Sequence, residues 1–274
     1  ICGVIDNTRR TATNILINID NIEFIHLLIM PATRLSDLNV DPDTISTEFS
    51  HLDHMYTGRF SEYYYKRFDQ ALDAAGSKNG TALEIGGGTG IFLLSLKNMY
   101  SEVFFSDISR ENPLFTTPKK LFELSGISTM NVNFTAADVT NLPYRSESFN
   151  SVFVLDVLEH VPDERSAIKE IARVTADRGT VVVSAPIEVG IPVLIREGYR
   201  FLDGDRRHTE SLGELWNAFV GNPIFETNEG HRGYDYRQTV SWMREDFNEV
   251  SIEYCPWPKL GGSFNPTAII SATM

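Results

Sequence analysis

The stretch that decides the fold is "LEIGGGTGIF", residues 83–92, which places four glycines in five positions directly after an apolar run. Each glycine loses more backbone entropy on folding than other residues, so such a cluster indicates a structural requirement. Either the chain makes a tight strand-to-helix turn here, or a nucleotide, a phosphate or a nucleoside cofactor approaches the backbone so closely that side chains are excluded.

The composition is that of a globular protein. The chain has 274 residues, of which 42% are hydrophobic and 22% charged, and this length favours one large domain or two small ones. The formal net charge is −13, and no run of Lys and Arg exceeds two residues. An extended nucleic-acid surface needs basic patches, so nucleic acid is an improbable partner.

Cysteine content and hydropathy bear on location. Cys2 and Cys255 are the only cysteines, too few for a disulfide framework, so we expect a reducing, cytoplasmic compartment. The longest apolar candidate, residues 180–195, is interrupted by Pro186 and Pro192. We therefore predict no transmembrane segment.

Two N-terminal regions precede the glycine cluster. The first methionine is Met30, so we expect residues 1–29 to be upstream sequence or an extension. We predict a poorly ordered extension over residues 1–44 and a folded domain over 45–274. Within that domain, residues 45–78 are expected to form a cap helix.

The cap helix carries an aromatic stripe that repeats every fourth residue, formed by Tyr56, Phe60, Tyr64, Phe68 and Leu72. This spacing places the side chains on one face of a helix. The stripe either packs on the core or covers a ligand, with one tyrosine hydroxyl reaching it.

After residue 80, short apolar runs alternate with helical segments. Strands are predicted at 81–86, 102–108, 131–138, 151–156, 179–186, 250–256 and 267–273, and helices near 90–99, 115–125, 163–175 and 236–247. This alternation is typical of an α/β, doubly wound, mostly parallel sheet. The last two runs share a short loop and are predicted to form an antiparallel pair at the sheet edge.

The spacing of the glycines distinguishes between cofactors. Gly86 and Gly88 match the first two positions of a dinucleotide fingerprint, but its third position is the bulky Ile91. Glu84 would repel a pyrophosphate, yet it could pair with an ammonium group. The pattern favours a positively charged nucleoside over NAD.

Further carboxylates follow the next three predicted strands. Asp107 ends the second strand, where it could accept both ribose hydroxyls, and Asp138 ends the third, where it could accept a purine amine. Asp156 ends the fourth strand. Because the carboxyl ends of parallel strands meet at one edge of a sheet, these groups are expected to lie close together.

Four longer motifs extend this pattern: "LEIGGGTG", "FFSDIS", "AADVTNLPYRSESFNSVFVLDVLEHVPD" and "EIARVTADRGTVVVSAP". With them, residues 81–186 resemble the class I S-adenosylmethionine-dependent methyltransferases, especially the small-molecule group that includes quinone-biosynthesis enzymes. The resemblance implies a Rossmann-like, seven-stranded sheet with an antiparallel last strand, and S-adenosyl-L-methionine as cofactor. The candidate cofactor-binding residues are those that the resemblance implies together with adjacent or strand-end residues. They are Glu84, Gly86, Gly87, Gly88, Gly90, Asp107, Ile108, Asp138, Val139 and Asp156.

The candidate catalytic residues are His160 and Asp156. Asp156, Glu159 and His160 also resemble the Mg²⁺ site of ubiquinone-pathway O-methyltransferases and of small-RNA 2′-O-methyltransferases. Here Asp replaces the first Glu of that pattern and shortens its reach, so we expect no metal and keep the Mg²⁺ site as the alternative. Glu159 and His160 could equally be packing or capping residues.

Residues 187–235 are long for the connection after a fifth strand, and we expect them to form a substrate-side insertion. Within the insertion, His208, His231 and Tyr234 are the candidate substrate residues. The predicted function is methyl transfer to a small molecule such as a quinol, a phenol or a lipid-like acceptor. The alternatives are an RNA or protein methyltransferase, an NAD-dependent oxidoreductase and a catalytically silent binding module.

Overall fold

A computed structural model describes residues 31–41, 44, 56–57, 61–76, 79–108, 113–194, 212–221 and 234–274. The strands are β1 Thr81–Ile85, β2 Glu102–Asp107, β3 Val132–Ala136, β4 Phe149–Leu155, β5 Thr175–Pro186, β6 Glu249–Cys255 and β7 Thr267–Thr273. The helices in the described ranges are α1 Ser61–Ala74, α2 Ile91–Met99, α3 Pro113–Leu124, α4 Glu164–Val174, α5 Leu212–Phe219 and α6 Tyr236–Asp246.

The seven strands form one sheet in the order β3-β2-β1-β4-β5-β7-β6. Strands β1 to β5 pair in parallel, whereas β7 is antiparallel to both β5 and β6. The predicted fold class and the antiparallel last strand are confirmed. The strand order reverses between β1 and β4, so the carboxyl ends of these two neighbours lie side by side, where α/β sheets bind ligands.

Two apolar layers cover the sheet because successive side chains of a strand point to opposite faces. In β4, Phe153 packs in the layer that contains Phe92 of α2, whereas Val152 and Val154 pack in the layer that contains Ile168 of α4. Central strands are therefore apolar on both sides, and they appear in the sequence as continuous apolar runs.

The predicted cap helix corresponds in part to α1. Phe68 and Leu72 of the aromatic stripe are buried and Tyr64 is half-buried, so the described part of the stripe packs on the core. Phe60 lies outside the described residues. The same helix also buries Arg67, which the apolar pattern did not anticipate.

The prediction of a poorly ordered extension over residues 1–44 is wrong for residues 31–41. The backbone N–H of Ala32 donates to Asp69 Oδ1 at 2.6 Å, and that of Leu35 donates to the Tyr65 hydroxyl at 2.7 Å. Ala32 and Leu35 are themselves buried. Side chains of α1 thus satisfy backbone groups of this segment, a type of contact that a polar, turn-rich sequence does not reveal. Residues 1–30 lie outside the described ranges.

One further boundary differs from the sequence-based expectation, and another agrees with it. Strand β5 begins at Thr175, directly after α4, because Thr175 pairs with Phe149 ahead of a bulge in the ladder. Helix α6 begins after Asp235 as expected, and the Asp235 carboxylate accepts from the backbone N–H of Arg237 at 3.0 Å. Of the described helices, none combines the length and hydropathy required to cross a membrane.

Docking of residues 31–41 can be measured through Leu35, which is 1% exposed. We expect Leu35→Ala to lower the free energy of unfolding by about 2–4 kcal/mol, the range for truncation of a buried leucine. Leu124→Ala, at a leucine that is 43% exposed, is the matched control and should have an effect below about 1 kcal/mol. Equal effects of both substitutions in urea titrations would show that the segment is not docked.

Candidate functional site

The carboxyl ends of β1 to β4 open onto a cleft of about 540 Å³. Its lining consists of Ile85, Gly86, Asp107, Ile108, Ala137, Asp138, Val139, Thr140, Asp156, Val157, His160, Val161, Pro162 and Asp163. The structure therefore brings together the three predicted strand-end aspartates and His160. Glu84 lies in β1, outside this lining.

The glycines of the loop formed by residues 86–90 have two different surroundings, tight packing and open space. A Cβ at Gly86 would lie 2.5 Å from Val157 Cγ2, and one at Gly90 would lie 2.6 Å from Pro118 Cβ. The fold itself thus excludes side chains at these two positions. At Gly88 the backbone is left-handed, with φ +53°, and a Cβ would meet no protein atom within 4 Å. Gly88 is not itself part of the cleft lining, but its backbone N–H donates to Asp107, which is, and no described protein atom fills the space beside it.

Glu84 lies beneath this loop. A Cβ at Gly87 would be 2.3 Å from the carboxyl carbon of Glu84, so the absence of a side chain at Gly87 makes room for that carboxyl group. Glu84 is 2% exposed, and its Oε2 has no hydrogen-bond partner among the described residues. Burial, together with the neighbouring charge of Asp107, raises the pKa of Glu84 to about 8. The carboxyl group is therefore placed to support the loop from below.

Asp107 connects the end of β2 to the glycine loop. Its Oδ1 accepts from the backbone N–H of Ile108 at 2.7 Å. Burial raises the pKa of Asp107, while hydrogen bonds from the backbone N–H groups of Ile108 and Gly88 oppose that rise. The side chain of Ile108 is 67% exposed and lines the cleft.

The sequence predicted that Asp138 ends β3. In the structure, Asp138 instead lies two residues beyond Ala136, the last residue of that strand. Its Oδ1 accepts from both the backbone N–H and the hydroxyl of Thr140, each at 2.8 Å. The extra residues form a turn that presents Val139 to the cleft with its side chain buried. Such an Asx turn competes with continuation of a strand, which explains the offset.

Asp156 has a left-handed backbone, with φ +56°, directly after β4. Its backbone N–H donates to Ser184 Oγ at 3.0 Å, and its Oδ1 accepts from the same hydroxyl at 2.6 Å. Its Oδ2 accepts from Nη1 of the buried Arg67. Sequence reasoning missed Arg67, although an arginine between Tyr64 and Phe68 of a helical stripe is the signal that could have indicated it.

Glu159 and His160 belong to the 3₁₀ turn Leu158–His160. His160 is exposed and lines the cleft, whereas burial and the charge of Asp156 raise the pKa of Glu159 to about 8. Within the described ranges, no three His, Cys, Asp or Glu side chains are placed to hold a metal ion. The carboxylate of Asp156 is instead directed to Arg67.

Of the three predicted substrate residues, the structure describes one, Tyr234. His208 and His231 lie outside the described residues. Tyr234 is half-buried, and its hydroxyl lies 2.6 Å from the hydroxyl of Thr239, which donates to Glu164. Tyr234 is absent from the lining of the described cleft, so its role stays a prediction.

Comparison with known proteins identifies the class. Residues 83–183 match the protein family described as "Methyltransferase domain", and this range runs from β1 into β5 and so includes most of the cleft. The fold is that of the class I S-adenosylmethionine-dependent methyltransferases. Residues 83–183 therefore match a methyltransferase domain in sequence, on a sheet of the matching topology.

Among curated proteins, the demethylmenaquinone methyltransferase of Roseiflexus castenholzii is 34% identical over 46% of this chain and 50% of its own length. The chain thus spans about half the length of this relative. Among solved structures, the PH0226 protein of Pyrococcus horikoshii OT3 has a TM-score of 0.58 at 17% identity and covers 83% of this chain and 99% of its own.

A second solved structure is the N-methyltransferase NodS of Bradyrhizobium japonicum WM9 in complex with S-adenosyl-L-homocysteine. It has a TM-score of 0.51 at 16% identity and covers 77% of this chain and 87% of its own. At these identities, both solved structures establish a common fold.

The raised pKa of Glu84 predicts a pH dependence of stability. Because the pKa is about 8 in the folded protein and near its ordinary value in the unfolded chain, the native state binds the extra proton between about pH 5 and pH 8. The free energy of unfolding should therefore fall as pH rises through this window, by several kcal/mol from this group. Glu84→Gln should remove that contribution.

The measurement is urea unfolding at pH 5 and pH 8 for the wild-type protein and for Glu84→Gln. Glu123→Gln, at an exposed position of α3, is the matched control and should keep the wild-type pH dependence. Parallel pH profiles for the wild type and Glu84→Gln would contradict the burial of an ionisable carboxyl group.

Proposed function

We propose that this chain is an S-adenosylmethionine-dependent methyltransferase that acts on a small-molecule acceptor, of quinol, phenol or lipid-like character. The observation that carries the proposal is the cleft at the carboxyl ends of β1 to β4, together with the open space at Gly88, whose backbone is left-handed and whose N–H donates to Asp107 of the cleft lining. A tight turn alone would not need that space, because the neighbouring Gly86 and Gly90 already meet the packing requirements of the turn.

The described residues fit S-adenosyl-L-methionine. The carboxylate of Asp107 is suited to accept the two ribose hydroxyls, and the apolar side chains of Ile108 and Val139 are suited to flank the adenine. Asp138 is suited to accept from the adenine amine. The complex of NodS with S-adenosyl-L-homocysteine supports this use of the fold. When bound, the cofactor supplies an electrophilic methyl group on a sulfonium.

The remaining residues of the cleft orient the acceptor and handle its proton. Displacement in line requires that the acceptor atom be held on one axis with the methyl group, so orientation supplies much of the rate. Asp156 is already hydrogen-bonded to Ser184 and paired with Arg67, and we assign it both to binding of the cofactor and to orientation of the acceptor. His160 is exposed and lines the cleft, and imidazole is the side chain that most often serves as a general base, so His160 is the candidate base for a hydroxyl acceptor.

The charge of the cleft favours a small acceptor. Its described lining includes four aspartates, Asp107, Asp138, Asp156 and Asp163, and neither Lys nor Arg. Such a lining repels polyanions, so an RNA acceptor is disfavoured. The relative from Roseiflexus, a demethylmenaquinone methyltransferase, supports a quinol-like acceptor. We place acceptor recognition in residues 187–235 and on the cap formed by residues 45–78.

The test uses S-adenosylmethionine labelled on its methyl group, incubated with the protein and a cell extract. Label in the organic fraction would support a quinol-like or lipid-like acceptor. Label only in the RNA or protein fraction would overturn the acceptor class, and EDTA sensitivity would restore the Mg²⁺ alternative at Asp156, Glu159 and His160. An extract incubated with heat-denatured protein is the control.

Asp107→Ala tests the assigned ribose contact. Loss of a carboxylate that accepts two hydroxyls should weaken binding of S-adenosylmethionine by about 1.5–3 kcal/mol, the range for hydrogen bonds to charged groups. Asp177→Ala, at an exposed position near the start of β5 that does not line the cleft, is the matched control. If isothermal titration calorimetry gives the same dissociation constant of S-adenosylmethionine for both variants, Asp107 does not contact the cofactor.

Two alanine substitutions separate the roles within the glycine loop. Gly88→Ala keeps the packing but fills the space for the ligand, so binding of S-adenosylmethionine should weaken at least about tenfold, or about 1.4 kcal/mol. Its effect on stability should be limited to the strain of a left-handed alanine, about 1–2 kcal/mol. Gly90→Ala meets the same strain and also overlaps Pro118, so it should be the more destabilising of the two. Thermal unfolding and calorimetry of both variants measure this, and the reverse order would refute the assignment.

A further inference from the structure

We infer that Arg67 is a positioning residue of the methyl-transfer site, which acts through Asp156 and connects the cap helix α1 to the cleft. The inference rests on the proposed function. It assigns a role to a residue that lies outside residues 83–183, the range that matches the methyltransferase family, and that does not itself line the cleft.

The surroundings of Arg67 show how firmly it is held. The residue is 5% exposed, and its guanidinium carbon lies 4.8 Å from the ring centroid of Tyr64, 5.8 Å from that of Tyr63 and 5.9 Å from that of Phe68. Burial opposes the charge, but Asp156 and the tyrosines outweigh burial, so the pKa of Arg67 is raised and the side chain stays charged. Such contacts with aromatic faces fix the plane of the guanidinium group.

Stability alone does not account for this ion pair. Desolvation of the buried guanidinium offsets part of its attraction to the carboxylate, and well-packed apolar side chains of similar volume commonly stabilise a fold as much or more. The Nε of Arg67 also has no hydrogen-bond partner in the described part of the chain. A buried cation with one donor unpaired is therefore a poor device for stability and indicates another role.

The partner of Arg67 is the strained residue of the cleft. Asp156 has a left-handed backbone, which for a residue other than glycine persists only where neighbouring groups hold it. Two groups hold it from different elements: Ser184 of β5 hydrogen-bonds to its backbone N–H and Oδ1, and Arg67 of α1 pairs with its Oδ2. The side chain keeps 30% of its surface exposed, and the residue lines the same cleft as Gly86 and Asp107.

Orientation of Asp156 therefore depends on α1. If Arg67 is removed, the carboxylate keeps Ser184 but loses its charged partner, and it can rotate away from the position that it holds at the cleft. Tyr63 of the same helix makes a hydrogen bond with Thr267 of β7, which fixes α1 to the sheet near this pair. Asp156 thus stays fixed only while α1 is docked.

A matched control exists in Arg34. It lies 4.9 Å from the ring centroid of Tyr65 and pairs with Glu62, so like Arg67 it contacts an aromatic ring and a carboxylate, but both of its partners belong to α1. Its partner carboxylate is exposed and does not line the cleft. Comparison of Arg67 with Arg34 therefore separates action through Asp156 from general support of the helix.

The experiment measures the dissociation constant of S-adenosylmethionine by calorimetry for R67M, R67K, D156N, the double variant R67M/D156N and R34M. We expect R67M to weaken binding about tenfold, R67K to recover part of that loss, and R34M to stay within about twofold of the wild type. In the D156N background, R67M should add less than about twofold, because its effect passes through the carboxylate.

The outcomes are distinguishable. Equal losses from R67M in the wild-type and D156N backgrounds, or no loss from R67M, would overturn the inference and leave the proposed function intact. A wild-type protein that does not bind S-adenosylmethionine would overturn both. If R67M does not fold, R67K in the wild-type and D156N backgrounds makes the same comparison, since a single ammonium cannot reproduce the geometry of the guanidinium group.

Discussion

The contact on which the rest of the structure depends is the one between Gly86, after β1, and Val157, after β4. The strand order reverses between these two neighbours, so the helices that follow them cover opposite faces of the sheet. The two connections must therefore separate at the sheet edge while their first residues touch. A side chain at Gly86 would push them apart, and its absence lets both connections turn away and leave the cleft between them.

The cleft concentrates acidic groups, and the protein accommodates them in two physically different ways. Glu84 and Glu159 lie where their charge is poorly solvated, and each has a pKa of about 8, so protonation near neutral pH relieves the repulsion of Glu84 by Asp107 and of Glu159 by Asp156. Asp156 instead has a cation, Arg67, within contact distance. The first arrangement keeps a buried carboxyl group adaptable, whereas the second fixes both the charge and its direction. The fixed group is the one that lines the cleft.

The sequence predicted the parts of the fold that local patterns specify. The strands of the sheet interior are continuous apolar runs, and the glycine cluster marked the connection after β1, so the class and the cleft could be inferred before any coordinates. What it could not predict depends on distant partners. Arg67 and Asp156 are 89 residues apart, and the side chains that accept from the backbone of Ala32 and Leu35 lie 37 and 30 residues further along the chain. The offset of Asp138 had a local cause, its hydrogen bonds to Thr140, which an apolar count cannot register.

The position of β7 has a consequence for how the chain matures. Strand β7 follows all six other strands in the chain, yet it lies in the interior of the sheet, between β5 and β6. Until residues 267–273 are synthesised, β5 is an unpaired edge that carries Val181 and Val183, and β6 has no partner that attaches it to the sheet. Exposed edges of this kind recruit other chains. If synthesis stalls after β6, the nascent chain is therefore prone to aggregate unless a chaperone binds it first.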